Sequence, residues 1–422
     1  MIYLDYQATT PLAPEAFEAM LPWLRDQHAN PHSAHRPGRA AKAAVEVARA
    51  QVVALMPPGG RIVFTSGATE ALNWAIKGTT GPLVTTALEH AAVLDTVAAE
   101  GRRGRAVTIL PVDAEGLVRP NFVTPALSRG PAALPAKEAG PGLEAGVTGE
   151  GGLWSAMLVN NEIGVIQPVA DLADQAHAEG ALFLCDAVQG YGRVPIPANV
   201  DVVAISAHKV HGPKGIGALW IRDGVELEPL LHGGDQEGGR SGTLSPALCV
   251  GFGVAARLMQ ERAEADRTHV ERLWEIAAQR LCIPLAAREG LGVGVGAPAP
   301  IAADGQRSLR SQPTPGPSLG GRGEWTLNGS ATHRYHGNLN VRRPGLDVAR
   351  LMSDCRDLAF SAGSACASGS GRPSHVLKAL GLSDAEARAS IRLGWGRYTT
   401  EAELTAALDR IAAAADAQRI AA

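Results

Sequence analysis

The chain reads as an α/β protein: a large domain on a mostly parallel central sheet flanked by helices, followed by a smaller C-terminal α/β domain. Three observations predict this. Apolar runs of strand length alternate with amphipathic helical stretches from about residue 61 to residue 221, the pattern of a sheet covered on both faces. Polar or glycine-bearing turns follow several of those runs, at the strand ends where such sheets bind ligands. From about Ala247 the texture changes to a long helical pattern and then to a second, smaller α/β pattern.

In chain order, Tyr3 to Pro14 is an extended arm, because Asp5, Thr9-Thr10 and two prolines favour turns over helix. Pro14 to Leu24 is a short helix, and Asn30-Pro31-His32-Ser33 a polar loop. Arg39 to Leu55 sets Val45, Val52 and Leu55 among charges as an amphipathic helix. Strands are expected at Arg61–Phe64, Pro82–Thr86, Ala106–Leu110, Ala156–Val159, Ala181–Cys185, Val202–Ile205 and Gly217–Ile221. Helices are expected at Ala68–Lys77, Ala91–Glu100 and Val169–Glu179. Cys249 to Arg280 reads as one long helix. Residues 127–151 and 288–323 are rich in Gly, Pro, Ala and Ser without periodicity and are expected to be exposed insertions. Beyond residue 324, His336–Val341 and Ser390–Leu393 are strand-like. Leu346–Cys355, Pro373–Leu380 and the stretch after Thr400 are helical. The division is therefore an arm over 1–15, a large domain over 16–250 and a small domain over 251–422.

With 422 residues, 45% hydrophobic and 19% charged, the chain has the composition of a soluble globular protein. A net charge of −3 favours neither nucleic acid nor an anionic membrane. No apolar run reaches membrane-spanning length, and Met1 to Tyr6 lacks the pattern of a signal peptide. The five cysteines are odd in number, widely spaced and without a CxxC pair. Neither a disulfide framework nor a metal site is expected, and the cytoplasm is the default location.

One stretch organises the rest. Val202-Val203-Ala204-Ile205 runs as a buried strand into Ser206-Ala207-His208-Lys209. A lysine at such a join is costly unless it acts there, and Schiff-base lysines occupy partly desolvated sites of this kind. Lys209 is read as the residue that holds pyridoxal 5′-phosphate. That cofactor needs partners for its phosphate, its pyridine nitrogen and its phenolic oxygen. Thr65-Ser66-Gly67-Ala68-Thr69-Glu70 leads from a strand into a helix, so Ala68 and Thr69 can present free N–H groups and a hydroxyl to a phosphate. An ordinary helix cap by Ser66 or Thr65 is the alternative. Asp186, at the end of Ala181–Cys185, can keep a ring nitrogen protonated, and Gln189 can donate to the phenolic oxygen. A plain helix N-cap is the alternative for Asp186. His90 can stack on the cofactor and move a proton, or serve structurally at a helix start. Ser206 and His208 would complete the phosphate cup.

With these residues in place the sequence resembles the cysteine desulfurases of the class V aminotransferase superfamily. The resemblance runs through Tyr3-Leu4-Asp5-Tyr6-Gln7-Ala8-Thr9-Thr10, Phe64 to Glu70, Glu89-His90, Val159-Asn160-Asn161-Glu162-Ile163-Gly164, Asp186-Ala187-Val188-Gln189 and Ser206 to Lys209. It continues through Gly239-Arg240-Ser241-Gly242-Thr243, Ser361-Ala362-Gly363-Ser364-Ala365-Cys366 and Ile391-Arg392-Leu393. It implies a fold-type I pyridoxal phosphate enzyme and a homodimer with active sites near the subunit interface. It also implies Asn161 near cofactor and substrate, Thr243 reaching the neighbouring subunit's phosphate, and Arg392 gripping the substrate carboxylate. Cys366 separates this family from plain aminotransferases. Its glycine- and serine-rich surroundings predict a flexible loop, suited to a nucleophile that takes up sulfur and passes it on. Cys185, Cys249, Cys282 and Cys355 fit the description of buried, inert thiols.

The expected reaction removes sulfur from L-cysteine. Lys209 moves the Cα proton, Asp186 helps the ring accept electrons, His90 assists proton transfer, and Cys366 takes the sulfur as a persulfide while L-alanine is released. The sulfur would go to an acceptor protein such as an iron–sulfur scaffold, or to another thiolation pathway. The alternatives are a selenocysteine lyase, a class V aminotransferase or lyase in which Cys366 is incidental, and a catalytically silent sulfur-transfer partner.

Overall fold

A computed structural model describes residues 1–119, 151–234, 236–283, 325–363 and 373–420. In chain order the strands are β1 (Ile2–Tyr3), β2 (Gly60–Thr65), β3 (Leu83–Thr86), β4 (Val107–Leu110), β5 (Leu153–Met157), β6 (Leu182–Asp186), β7 (Val202–Ser206), β8 (Gly217–Arg222), β9 (Thr326–Leu327), β10 (Asn338–Arg342), β11 (Leu358–Ala359), β12 (Ser361–Ala362) and β13 (Ser390–Gly394). The helices are α1 (Pro14–Arg25), α2 (Arg36–Val53), α3 (Ala68–Lys77), α4 (Ala91–Arg102), α5 (Val169–Ala178), α6 (Pro246–Glu261), α7 (Ala263–Arg280), α8 (Val348–Asp354), α9 (His375–Ala379), α10 (Asp384–Arg388) and α11 (Glu401–Ile420).

Among the described residues, β2 to β8 form one sheet in the order β2-β8-β7-β6-β5-β3-β4. It is parallel from β4 to β7, and only β8 runs against its neighbours β2 and β7. Alternation along each strand divides its side chains between two cores. Phe64, Trp154, Phe183, Cys185, Val203, Ile205 and Trp220 face α2, α5 and α6. Val63, Leu83, Leu153, Leu184, Val202, Ala204 and Leu219 face α3 and α4. Phe252 of α6 is fully buried and packs against the rings of Phe64 and Tyr191, each 6.3 Å away. Phe252→Ala is expected to cost about 3–5 kcal/mol, read as a lower denaturant midpoint at unchanged slope.

The smaller sheet, β12-β13-β10-β9, is antiparallel. Its core joins Leu339, Val341, Ile391 and Leu393 to Leu273 and Trp274 of α7 and to Leu404, Leu408 and Ile411 of α11. The N-terminal arm ties the two halves together. β1 pairs with β11, and Asp5 bridges to Gly394. Farther along, the N–H groups of Thr10 and Ala13 donate to the carbonyls of His208 and His211.

Several boundaries differ from expectation. The long helix over Cys249–Arg280 is two helices that turn at Arg262, whose N–H bonds to Leu258 and Gln260. The turn lets α6 pack on α1 and α2 while α7 packs on α11, and no Gly or Pro marks it. The boundary expected after residue 250 therefore falls inside α6. Cys249, Phe252, Ala256 and Met259 belong to the large-sheet core, and the chain passes to the second core at Arg262. The helix expected from Arg39 starts at Arg36, because His35 accepts from the Gly38 N–H and Pro37 preorganises the first turn. The strand expected over Ala156–Val159 starts at Leu153 and ends at Met157, after which Val159 bridges to Ile166. Cys185, Cys249 and Cys355 are buried, but Cys282 is exposed. It sits just past α7 with φ of +52°, where the chain leaves the helix and its apolar face.

Candidate active site

The large sheet reverses its winding between β3 and β5: β4 lies outside β3, whereas β6, β7 and β8 continue on the other side of β5. The crevice beyond the carboxyl ends at such a point is where open sheets bind ligands. His90 follows β3 and Asn161 follows β5. Asp186 ends β6, and Lys209 follows β7 in the short 3-10 turn Ala207–Lys209. Chain segments distant in sequence thus deliver the expected groups to one edge.

The Lys209 amine donates to the main-chain carbonyls of Gln7 and, at 2.9 Å, Ala8. Burial, then the nearby Arg392 and Arg193 cations, push the amine down to about 8, against the pull of Asp5 and Asp186. Asp186 is buried and accepts from the Val188 N–H at 3.0 Å. No helix follows it, so it is not a helix cap. Burial raises its pKa, opposed by Val188, His90 and Lys209. The His90 Nδ1 accepts from the Ala92 N–H at 3.1 Å, so the neutral ring carries its hydrogen on Nε2. Burial lowers the pKa of this imidazole, Asp186 raises it and Lys209 lowers it again. These three groups therefore lie within electrostatic reach of one another.

The start of α3 is not capped by Ser66 or Thr65. Its N-cap is Gly67, with no side-chain cap. The Thr65 hydroxyl donates to the Gly67 carbonyl, and the Ser66 N–H is taken by Glu70, which Arg240 also grips at 2.8 Å and 3.2 Å. The first-turn N–H groups at Ala68 and Thr69 are thus left without a side-chain acceptor, a fit for a dianionic phosphate. β8 begins against this loop: a Cβ at Gly217 would stand 2.7 Å from Gly67 backbone atoms. Thr69 and His90 line one open cleft with Asn73 and Ala92. Ser206 is buried at the end of β7, and His208 contacts the Thr9 hydroxyl through Nδ1 at 3.2 Å. Burial, then Lys209 and Lys214, push His208 down to about 4, so it is neutral at neutral pH.

Arg392, in the middle of the smaller sheet, is almost fully buried. Its Nη1 donates to the Asn161 carbonyl at 3.1 Å. Its Nη2 donates to Asp5 at 2.7 Å and to Ser361 at 3.3 Å, while its buried Nε has no partner among the described residues. Gln189 donates to the Gln7 carbonyl at 3.0 Å. Thr243 is exposed on the loop before α6, and no hydrogen bond among the described residues ties it to the Lys209 group. Cys366 lies outside the described residues. Its described flanks are anchored close to the site. Gly363 accepts from Asn340, Ser374 donates to Glu162, and His375 bonds to the Glu89 carbonyl at 2.9 Å.

Sequence reasoning missed several groups. Asp5 reads only as a turn former and motif position, and Ser361 only as a motif position, yet both hold Arg392. Glu89 is fully buried, and its carboxyl accepts from the Thr86 hydroxyl at 2.9 Å and the Met157 N–H at 2.8 Å. Burial, then the Asp186 charge, push it up to about 8, so it carries a proton at neutral pH. The carbonyls of Gln7 and Ala8 leave no trace in the side-chain pattern.

The donor set fits pyridoxal phosphate: an amine of lowered pKa, an acid on the adjacent parallel strand, an uncapped helix start and a neutral imidazole. Comparison with known proteins points the same way. The profile of the class-V aminotransferases matches residues 2–135 and 142–292. The chain is 37% identical to "Cysteine desulfurase IscS" of Rickettsia akari over 99% of its own length and 92% of that protein. It is 39% identical to "Cysteine desulfurase, mitochondrial" of Saccharomyces cerevisiae over 96% of its own length and 72% of that protein. Among solved structures, a NifS-like protein from Rickettsia africae superposes with a TM-score of 0.77 at 26% identity, covering 99% of both chains. A structure titled "SspA in complex with cysteine" gives 0.69 at 31% identity, covering 95% of this chain and all of that one.

Proposed function

The chain belongs to the class-V aminotransferase family and is a cysteine desulfurase dependent on pyridoxal phosphate, and from that premise we propose which residues carry the reaction. The observation that carries this reading is the Lys209 amine, held at a lowered pKa beside Asp186 on the adjacent parallel strand. Bound pyridoxal phosphate supplies an electron sink for the carbanion left when an amino acid loses its Cα proton.

Lys209 would hold the cofactor and move that proton. Asp186 would pair with the pyridine nitrogen and keep it protonated. Gln189 spends one amide hydrogen on Gln7 and keeps a second for the phenolic oxygen. Ala68, Thr69, Ser206 and His208 receive the phosphate, with Thr243 serving the phosphate of a neighbouring subunit in a homodimer. His90, whose neutral form burial favours, would border the cofactor and accept a proton. Asn161 borders cofactor and substrate.

Arg392 binds the substrate carboxylate, and its buried Nε, which has no partner among the described residues, supports that role. Arg392→Lys is expected to raise KM for L-cysteine about tenfold or more, because a point charge cannot replace the planar fork. Steady-state kinetics check this, with kcat changing less than KM.

Cys366 takes the sulfur. L-cysteine and the Cys366 thiol become L-alanine and a Cys366 persulfide, so atoms and electrons balance without an added oxidant. The persulfide then passes sulfur to an acceptor protein such as an iron–sulfur scaffold. Free Cys185, Cys249, Cys282 and Cys355 suit the reducing cytoplasm as the setting. The testing experiment is incubation with L-cysteine and no keto acid, measuring alanine, sulfide and the mass of the Cys366 peptide. Alanine and a persulfide on that peptide support the reading. A requirement for a keto-acid acceptor, or sulfur carried elsewhere, overturns it.

A further inference from the structure

We infer that Arg193 is the positioning residue of Lys209, fixing the lysine's main chain and with it the place of its amine; this rests on Lys209 being the cofactor-holding residue. Arg193 lies in the turn after β6. Its Nη1 donates to the Gln189 carbonyl at 3.1 Å, and its Nη2 donates to the Lys209 carbonyl. The Gln189 side chain donates to the Gln7 carbonyl at 3.0 Å, and the Lys209 amine donates to that same carbonyl. Gln7, Gln189, Arg193 and Lys209 therefore close a ring drawn from three separate chain segments. Lys209 is held at both ends, by its carbonyl and by its amine.

The guanidinium suits this role. Its coplanar donors reach two carbonyls at once, which a single ammonium cannot do with the same geometry. One face of it lies over the Tyr335 ring, 5.4 Å from the centroid. That ring is itself held where the Tyr335 N–H bonds to Gly164, close to Asn161. Both acceptors belong to residues proposed to touch the cofactor. The arginine's charge has a second consequence. Burial is the largest influence favouring the free amine of Lys209, and Arg392 and Arg193 add to it. Asp5 and Asp186 oppose it. His90 and His208 also face the amine, and both are held toward their neutral forms. Removing Arg193 takes away one of the two cations that lower the amine's proton affinity.

The test compares the full-length holoenzyme with Arg193→Met, Arg193→Gln and Arg193→Lys. It reads the pH midpoint of the bound cofactor's absorbance, then kcat and KM for L-cysteine. Met and Gln are expected to move the midpoint upward by about half to one pH unit, the scale for removing a nearby like charge. They should lower kcat about tenfold and leave KM within about twofold. Lys should restore the midpoint, because it restores the charge, but recover kcat only in part. Gln keeps a donor and covers the case in which Met fails to fold. A midpoint and kcat at wild-type values in Gln or Met overturn the inference, as does a shifted midpoint that Lys does not restore. Borohydride reduction of the wild-type protein separates the two levels of argument. If it does not fix the cofactor to Lys209, the underlying assignment fails; if it does and the variants titrate as wild type, only the role of Arg193 fails.

Discussion

Replacing Cys366 by Ser abolishes alanine and sulfide production from L-cysteine and leaves the bound cofactor's absorbance in place. The groups proposed to hold the cofactor are Lys209, Asp186, Gln189 and the start of α3, and their described partners are Gln7, Ala8 and Val188. A serine hydroxyl is not ionised near neutral pH and cannot form a persulfide, so the loss is chemical. Its expected size is about 10³-fold or more, the scale seen when an essential nucleophile is removed. The other thiols are poor substitutes. Burial holds Cys185 well above the usual thiol range and pushes Cys249 up to about 12, and burial also raises Cys355. A buried thiol that keeps its proton is a weak nucleophile. Cys282 is exposed just past α7, between Leu281 and Ile283 of the second core, so Cys282→Ser is expected to retain full activity. Sulfide release at the wild-type rate from Cys366→Ser would remove Cys366 from the mechanism.

What the sequence made legible follows from how each group acts. Lys209, Asp186 and His90 stand at or just past the ends of apolar strand runs, and it is their side chains that we propose do the chemistry. Period and residue type were enough to find them. The α3 start was legible as a strand-glycine-helix turn. The choice between cap and anion site was not, because it depends on where Thr65, Ser66 and Glu70 send their hydrogen bonds. Arg392 came only through family resemblance, since an arginine in a short apolar strand has no local signature. Its partner Asp5 is 387 positions away. Arg193 sends its side chain to main-chain carbonyls, and Gln7 and Ala8 offer theirs; every residue has such a carbonyl, so no side-chain pattern marks these contacts. On the fold, strongly periodic elements such as α3 fell where expected. The break at Arg262 did not, because tertiary packing against two different cores causes it. Two-residue strands such as β1 and β11 are too short for a period of two to register.

Replacing Lys209 by Ala removes covalent retention of the cofactor, and borohydride no longer fixes it to the protein. The wild-type amine also sets a pH dependence that the variant lacks. An amine attacks a carbonyl only when unprotonated. An ordinary lysine, near 10.5, has only about one amine in a thousand free at pH 7.5. Burial and the Arg392 and Arg193 cations bring Lys209 down to about 8, which leaves about a quarter free at the same pH. The direction follows from the sign: the folded site disfavours the charged form, so reactivity rises as pH passes upward through about 8 and then levels off. Reloading of cofactor-stripped protein, followed by absorbance, is expected to accelerate from pH 7 to 8.5 and change little above that. An unperturbed lysine would keep gaining about tenfold per unit up to 10.5. Lys209→Arg separates charge from chemistry. It keeps a cation in the same place but cannot lose its proton, so it is expected to fail as completely as Ala in borohydride trapping. Continued acceleration of reloading beyond pH 9 would mean that the amine is not held as the geometry around Gln7, Ala8 and Arg193 requires.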